Sequence, residues 1–322
     1  MSLRLGTQIN IIASSPEAAR EVLKTHDREL SGRFIANAIP LINPKLNNFS
    51  LAAAPECNDY WRSLRAICKA DVFSAKILES QNHIREKKVR ELVDFLGSKE
   101  VDFMDFEGKG IGQELRELIV EDLLIAGTDS SSMVTEWAMA ELMRNQDVMH
   151  KIREEIESEI GTNIVKESHL SHLPYLEACV KETLRLYPPG PLLILHRAIQ
   201  TCQVMGYTIP KDSFISVNIW AIGRDPMVFN DPLSFKPERF LDSSLDFKGT
   251  NFDYTPFGAG RRGCPGQPLA TRQVPLILAS LVHSFDWFLP GSMKSTELDM
   301  NDHFAITLKK KQPLQLIPKR RK

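Results

Sequence analysis

A single cysteine, Cys264, stands in the glycine-rich stretch FGAGRRGCPG, which runs from Phe257 to Gly266. Glycines let a backbone take positive φ and approach a flat ligand closely, so such a turn can aim amide N–H groups at the sulfur. Pro265 suits the first turn of a helix, and the positive end of that helix favours a thiolate over a thiol. A lone cysteine is ordinarily a small buried hydrophobe, but these surroundings predict that Cys264 is a thiolate ligand to a haem iron.

The same stretch contains a second pattern, because Gly258, Gly260 and Gly263 fit the G-x-G-x-x-G of a dinucleotide site. That site needs a strand before it, a helix after it and an acidic residue about 20 positions on. The preceding NFDYTPF contains a proline and no β-rich run, position 284 is a serine, and its nearest acid is Asp286. The hypothesis of a dinucleotide-dependent reductase therefore depends on this pattern alone. Measurable NADPH binding by the chain, without an external reductase present, would support it.

Five residues of the stretch resemble the haem-binding loop of the cytochrome P-450 superfamily, F-x-x-G-x-R-x-C-x-G. They are Phe257, Gly260, Arg262, Cys264 and Gly266. The resemblance implies a mainly α protein with small β-sheets, the cytochrome P-450 fold, in which Cys264 is the axial ligand of the iron of haem b. It also implies that the cofactor is contacted by Phe257, Gly258, Arg262 and Gly266.

Three further segments resemble cofactor contacts of the superfamily. Trp61 and Arg65 are four residues apart on a predicted helix and share a face, although a pair at that spacing is usually only a packed surface contact. In the superfamily a W-x-x-x-R pair on this helix binds a haem propionate, so Trp61 and Arg65 are expected to do the same. His196 matches a position that contacts a propionate, and Ala126 matches a position beside the haem.

A long helix, predicted over 113–144, has the unusual centre AGTDSSS, which begins at Ala126. Glycine and serines weaken a helix interior, and a local rule broken in mid-helix often marks a functional site. We expect the helix to widen locally there and leave backbone groups free to hold water. The alternative is a serine cluster that kinks an ordinary core helix.

AGTDSS also resembles the superfamily segment A/G-G-x-D/E-T-T/S, in which an acid and a hydroxyl relay protons during oxygen activation. Asp129 and Ser130 are therefore the expected catalytic residues. Ser130 stands where threonine is usual, so it keeps the hydroxyl but lacks the methyl that restricts the rotamer. This difference predicts less well oriented proton delivery, with more dioxygen reduced without substrate oxidation.

The segments KETLRLYPP and PERF resemble a structural triad of the superfamily. Glu182 and Arg185 are i,i+3 and can pair, which by itself is most often a weak surface salt bridge. The resemblance implies that they form a buried triad with Arg239, in which loss of one member leaves the others unpaired. The segment expected to line the substrate pocket comprises Leu192, Leu193 and Ile194.

Composition narrows the class of protein. The chain has 322 residues, of which 43% are hydrophobic, as in an ordinary globular protein. Its net charge of −1 gives no general attraction to nucleic acid or anionic membrane.

Five scattered cysteines without a CxxC pair argue against a disulfide framework and fit a reducing compartment. His169 and His172 form an HxxH without a nearby cysteine and are predicted loop histidines. The sequence has no apolar run of about 18 residues and no signal-peptide pattern.

We expect a single haem-binding domain over 1–322, with an N-terminal part (1–96), a junction (97–112) and a haem-binding C-terminal part (113–322). Periodicity and capping residues predict its other elements: two strands within 3–13 around Gly6, helices opening at Ser15 and at Asn58, helices over 77–96, 144–160 and 269–282, a helix containing Glu182, a hairpin of 204–210 with 214–220, and a closing hairpin within 304–318.

The resemblance implies a haem-thiolate monooxygenase that inserts one oxygen atom from O2 into a small organic substrate, with electrons from NADPH through an external cytochrome reductase. The segments ECNDYWRSLR and FSAKILESQ resemble the plant group that contains N-methylcoclaurine hydroxylase and corytuberine synthase. This points to plant specialised metabolism and an alkaloid substrate, and both hydroxylation and phenol coupling stay open.

The chain is much shorter than superfamily members of this type. The missing parts are expected to be the N-terminal membrane anchor and an internal segment near 97–112 that carries the lid of the substrate pocket. An alternative is therefore a truncated haem-binding remnant without turnover. The superfamily implies a place on the cytosolic face of the endoplasmic reticulum membrane, and the lack of an anchor leaves a cytosolic location open.

Overall fold

The computed structural model describes residues 1–34, 50–98, 119–291, 293–304 and 307–321, with the backbone alone for 119–125. Its architecture is mainly α with small β-sheets, as predicted. The junction expected at 97–112 lies almost entirely outside the described residues, as does the start of the helix expected at 113, so these remain predictions.

Helices are the main secondary-structure elements of the described residues. They are α1 (Pro16–Arg20), α2 (Asp59–Ile67), α3 (Ala75–Ser80), α4 (Asn82–Gly97), α5 (Ile119–Arg144), α6 (Gln146–Ile160), α7 (Pro174–Leu186), α8 (Ile219–Ile222) and α9 (Gln267–Ser284). Local capping explains two starts, since Ser15 Oγ accepts from the Ala18 amide and Asn58 Oδ1 from the Trp61 amide. The single helix predicted over 77–96 is two helices, because Gln81 leaves the helical conformation with φ −101° and ψ 3°.

The five-stranded sheet begins with the two predicted N-terminal strands, β1 (Ser2–Leu5) and β2 (Gln8–Ala13), which pair antiparallel across a Gly6 with φ +62°. The other strands named here are β3 (Gly32–Arg33), β4 (His196–Arg197), β5 (Cys202–Val204), β6 (Tyr207–Ile209) and β7 (Phe214–Val217). The sheet order is β1-β2-β7-β4-β3.

The predicted hairpin of 204–210 with 214–220 is wrong. β5 and β6 form their own small hairpin, whereas β7 pairs parallel with β2 and antiparallel with β4. The apolar alternation of β7 predicts a strand correctly, but its partner β2 is distant in the sequence and the pattern does not specify it.

The predicted closing hairpin within 304–318 is also wrong. The C-terminal strands are β8 (Phe285–Phe288), β9 (Asp302–Phe304), β10 (Leu308–Lys310) and β11 (Ile317–Arg320). β10 pairs with β9, which begins before the predicted hairpin, and β11 returns to pair with β8 beyond the end of α9. Two small antiparallel sheets therefore replace one hairpin.

The centre of α5 does not widen as predicted, because the α-helix is continuous from Ile119 to Arg144. The hydroxyl groups of Ser130, Ser132 and Thr135 each donate to the carbonyl oxygen four residues back, at 2.5, 2.7 and 2.9 Å. These bonds satisfy the polar side chains within the helix, so no break of the backbone ladder is needed.

The main core lies between α5, α6, α7 and α9, around side chains such as Trp137, Leu142, Ile152, Leu176 and Leu281. A second core lies under the sheet, and a third surrounds Trp61 on α2. Among the described residues, no helix is long and apolar enough to cross a membrane.

A buried ion cluster holds α7 to the loop that follows the sheet. Glu182 accepts from Arg185 at 2.7 and 2.8 Å and from Arg239 Nε at 2.9 Å, and the side chains of Glu182 and Arg185 are fully buried. Arg185 also donates to the carbonyl oxygens of Gly223 and Pro232. The triad implied by the resemblance is thus assembled in this fold.

The HxxH histidines lie in a 3-10 turn, Glu167–His172. His172 contacts the carboxylate of Glu159, and His169 Nδ1 accepts from the Lys166 amide. Within the described ranges no group of three or more His, Cys, Asp or Glu side chains is arranged to hold a metal ion.

Candidate functional site

The cysteine turn connects a short 3-10 segment, Gly260–Arg262, to the N-terminus of α9. The Cys264 amide donates to the Phe257 carbonyl oxygen at 2.9 Å. Cys264 is exposed as a residue, but neighbouring protein atoms crowd its thiol and exclude much of the water from it. This crowding raises the pKa of the Cys264 thiol, and the amides of Gly266 and Gln267, which bond to the sulfur, together with Arg65 act to lower it.

Two glycines of the turn are required by its geometry. Gly260 has φ +67°, and a Cβ there would lie 1.9 Å from the carbonyl oxygen of Leu23, so no side chain fits. Gly258 has φ +66°, and a Cβ there would touch a methyl group of Leu193 at 3.5 Å. Only glycine takes such a conformation without strain, and the turn therefore packs tightly on Leu23, which lies just after α1, and on the predicted pocket segment.

Beside the turn, guanidinium groups gather around Trp61. Arg262 lies over the Trp61 ring at 4.7 Å and Arg65 at 5.7 Å. Arg65 donates to the Gly263 carbonyl oxygen at 2.8 Å, and Arg262 donates to the carbonyl oxygens of Ser31 and Ala54 at 2.9 and 2.6 Å. Residues from α2 and from the cysteine turn thus meet at one place, and burial lowers the pKa of both arginines.

A third guanidinium group, that of Arg33 on β3, joins this cluster. It is buried and donates to the carbonyl oxygens of Ile194 and Leu195 at 2.6 and 3.0 Å. Burial and the charge of Arg262 lower its pKa to about 9. Arg33 is paired across the sheet with His196, so β3 and β4 bring both side chains to the same face of the molecule.

His196 is buried and neutral in this arrangement. Its Nδ1 donates to the Leu30 carbonyl oxygen at 2.7 Å, and burial together with Arg33 lowers its pKa to about 3 despite that hydrogen bond. The other ring nitrogen therefore carries no proton in the protein as described.

The cluster is built for an anion. In the described part of the chain, every polar contact of Arg33, Arg65 and Arg262 is with a backbone carbonyl oxygen rather than with a carboxylate. Partly buried cations without a counter-ion are unfavourable, and carboxylates are the groups that guanidinium forks bind best. The two propionates of haem would supply these charges next to the turn that carries the exposed residue Cys264, so the residues fit this cofactor.

Sequence reasoning missed Arg33. The residue stands alone in SGRF, with no motif and no periodic spacing to its partners. The only available signal is an arginine inside an apolar, strand-like segment, because a charged side chain is rarely buried without a partner.

A small cavity of about 30 Å³, open to solvent, lies between α5, α7 and α9. Ser130 and Ser131 line it from α5, Phe257 from the cysteine turn, and Ala270 from α9. The Phe257 ring meets Phe247 edge-on at 5.7 Å. The cavity therefore connects the turn that carries the thiol with the helix that carries the predicted catalytic hydroxyl.

The two predicted catalytic residues face different partners. Ser130 Oγ donates to the carbonyl oxygen of Ala126, whereas Asp129 is bound by Thr307 and Lys309 near the C-terminus. Ala126 is exposed on α5. Ser130 lines the cavity, whereas Asp129 is not among its lining residues, and the two side chains form no direct hydrogen bond.

The predicted pocket segment is an extended loop after α7. Leu193 has φ +52°, a strained value for a leucine, and it packs against the second core. Leu192 is half-buried and Ile194 is 58% exposed. Ile194 thus offers an apolar surface beside the carbonyl group that binds Arg33.

The haem-free chain is expected to lose stability in acid through His196. The unfolded chain binds a proton at this residue near pH 6.5, but the folded chain does so only near pH 3. The contribution of neutral His196 to the free energy of unfolding is therefore fully present above the unfolded pKa. It decreases as the pH falls from the unfolded towards the folded pKa, by about 2 kcal/mol between pH 7 and pH 5. Urea unfolding at both pH values measures the loss, and His196→Gln should remove that part of it; an unchanged pH dependence in the variant would contradict the assignment.

Comparisons with known proteins identify the family of the chain. The Cytochrome P450 family model matches residues 107–317. The chain is 38% identical to a probable (S)-N-methylcoclaurine 3'-hydroxylase isozyme 2 of Coptis japonica, over 99% of this chain and 86% of that protein, and 37% identical to corytuberine synthase of Coptis japonica, over 100% and 86%. These alignments span 423 and 422 residues. Because the chain has 322 residues, the relatives contain internal stretches that have no counterpart in it.

A solved structure of a zebrafish cytochrome P450 with abiraterone is similar with a TM-score of 0.82 at 20% identity, over 100% of this chain and 95% of that chain. This likeness shows the fold. Together with the family match, and with a guanidinium cluster that has no carboxylate partner among the described residues and lies beside the cysteine turn, it leads to one conclusion. The chain belongs to the cytochrome P450 family of haem-thiolate monooxygenases.

Proposed function

We propose that this chain binds haem b through Cys264 and inserts one oxygen atom from O2 into a small organic substrate, with electrons from NADPH delivered by a cytochrome reductase. The observation that carries the proposal is the cluster of Arg33, Arg65 and Arg262, which lacks a carboxylate partner among the described residues and lies beside the cysteine turn. When bound, haem would supply the dioxygen chemistry, and its thiolate ligand favours O–O cleavage.

The protein's own groups would hold the cofactor in two ways. The three arginines bind its carboxylates, and Trp61 supports two of them from below. His196 would contact a carboxylate in its protonated form, which the added negative charge favours. The amides of Gly266 and Gln267 stabilise negative charge on the sulfur. Contacts to the ring are assigned to Ala126, Phe257, Gly258 and Gly266.

Asp129 and Ser130 are proposed to move protons. Asp129 is 40% exposed and can take a proton from water, while Ser130 lines the cavity. A hydroxyl that donates to its own helix must rotate to pass a proton inward. Ser130 lacks the methyl that would restrict this rotation, so we expect a share of the electrons to be lost as peroxide.

The substrate class is proposed from the relatives. Two of them are named for N-methylcoclaurine and corytuberine, which makes a plant alkaloid of that type the first candidate. The segment Leu192, Leu193 and Ile194 would line its pocket. By family resemblance we place the protein at the cytosolic face of the endoplasmic reticulum membrane.

A second candidate is a haem-binding remnant without turnover. The internal stretches of the relatives that lack a counterpart here favour it, and near 97–112 they would include the lid of the substrate pocket. Without a lid, water enters the site and weakens every charge interaction within it.

Reconstitution separates the two candidates. The haem-loaded chain is mixed with a plant cytochrome reductase, NADPH and N-methylcoclaurine, and loss of substrate is followed together with the carbon monoxide spectrum of the reduced protein. NADPH-dependent substrate loss supports the monooxygenase. A thiolate band without substrate loss supports the remnant, and a missing band contradicts both.

Arg33→Met is expected to weaken haem binding by about tenfold to a hundredfold, because one charge-assisted hydrogen bond to a carboxylate is lost, worth about 1.5–3 kcal/mol. Titration of the haem-free chain with haem measures the change. Arg28→Met, an exposed arginine nearby, is the control. The melting temperature of the haem-free variant is measured to control for its folding. An unchanged haem affinity would contradict the assignment of Arg33 to the haem site.

A further inference from the structure

Both carboxylate oxygens of Asp129 are held by the C-terminal hairpin of β9 and β10. Lys309 Nζ lies 2.6 Å from Oδ1, and Thr307 Oγ1 donates to Oδ2 at 2.9 Å. Resting on the proposed function, we infer that Thr307 and Lys309 are positioning residues that fix the carboxylate of Asp129, the chain neighbour of the cavity-lining Ser130, and so direct proton delivery to Ser130.

These contacts are not what attaches the hairpin to the fold. The side chains of Lys309 and Asp129 are 48% and 40% exposed, and an ion pair so exposed contributes little to stability. The hairpin is attached by buried contacts instead. Trp137 Nε1 donates to the Leu308 carbonyl oxygen at 3.0 Å, and Leu308 is 3% exposed.

Further attachment comes from the residues that follow. The Glu136 carboxylate accepts from the Leu314 amide at 2.8 Å, and Lys310 Nζ lies 4.7 Å from the Trp137 ring. Loss of Lys309 or Thr307 should therefore leave the hairpin in place, which makes a positional role testable apart from a structural one.

Helix geometry does not fix the orientation of Asp129. Adjacent residues of an α-helix point in different directions, and Ser130 Oγ donates to Ala126 rather than to Asp129. The hairpin therefore supplies the contacts that hold the carboxylate. Each proton that Asp129 passes inward is replaced by one from solvent, which its exposed fraction permits. If Lys309 is lost, the carboxylate is free to turn into water, and fewer protons reach the cavity.

The variants isolate this effect. Lys309→Met and Thr307→Val remove one contact each, Lys309→Arg keeps the charge, and Asp129→Asn is the reference for complete loss. Lys311→Met is the control, because Lys311 is an exposed lysine of the same segment. In the haem-free chain we record the melting temperature and the 13C signal of the Asp129 side-chain carboxyl, assigned by its absence in Asp129→Asn.

We expect the carboxyl signal to shift in Lys309→Met and Thr307→Val and to stay unchanged in Lys311→Met, with similar melting temperatures throughout. In the haem-loaded protein with reductase, the fraction of NADPH electrons lost as peroxide should rise severalfold in Lys309→Met, approach that of Asp129→Asn, and return with Lys309→Arg. A thiolate band with an unchanged peroxide fraction in Lys309→Met overturns this inference alone, as does an unshifted carboxyl signal. Absence of the thiolate band from the unaltered protein would contradict the proposed function and therefore also the positioning role.

Discussion

Replacing Cys264 with Ala is expected to abolish the red-shifted Soret band of the reduced, carbon monoxide-treated protein and all NADPH-dependent oxidation. The thiolate at this position is the only proposed ligand to iron, and alanine offers no atom that could replace it. The sulfur is also the atom that the Gly266 and Gln267 amides bond, so the same change leaves those donors without their partner. Absorption spectroscopy of the reduced variant measures the effect directly.

Cys57→Ala is the matched control for this experiment. Cys57 is half-buried and lies within electrostatic range of Arg33 and Arg262, yet it takes no part in the proposed ligation. Its loss should leave the band unchanged. A band that persists in Cys264→Ala, or that disappears in Cys57→Ala, would contradict the assignment of the ligand.

The second large effect is expected from Glu182→Ala, which should prevent the chain from folding at ordinary temperature. The carboxylate is the shared partner of Arg185 and Arg239, and its removal leaves two guanidinium groups without a counter-charge in the interior. Breaking a buried ion pair costs about 3–5 kcal/mol, against a total stability of about 5–15 kcal/mol for a folded domain. The yield of soluble protein and the urea midpoint report the loss.

Glu177→Ala provides the comparison, because it removes a carboxylate from the same helix. Glu177 pairs with Lys181 at 2.9 Å and is 51% exposed, so its ion pair contributes about 0–1 kcal/mol. We expect a urea midpoint close to that of the unaltered chain. An equal decrease of the urea midpoint in the two variants would show that the buried triad contributes no more to stability than the exposed ion pair does.

Local sequence signals predicted individual elements better than their pairing. Ser15 and Asn58 marked helix starts because a cap acts within one turn. β7 was recognisable as a strand but was assigned the wrong partner, since its register depends on β2 at the other end of the chain. The same limit explains the closing hairpin, where β11 pairs with β8.

The site residues show the same difference between local signals and contacts of distant segments. Cys264 could be recognised because its glycines, arginines and proline are contiguous, and the triad because its members belong to two short motifs. Arg33 could not be recognised, since its role depends on β3 lying beside β4. The partners of Asp129 were missed for the same reason: Thr307 and Lys309 are distant in sequence and meet α5 only through the fold. Widening of α5 was wrongly expected because the serine hydroxyl groups bond within the helix instead of disturbing it.

Binding of haem through Cys264 is measured by titration of the haem-free chain with haem, followed by reduction and exposure to carbon monoxide. We expect one haem to bind per chain and the bound form to give the red-shifted thiolate Soret band. A chain that binds no haem, or that binds it with the unshifted band of a ligand other than thiolate, would contradict the assignment of Cys264 and of the guanidinium cluster beside it.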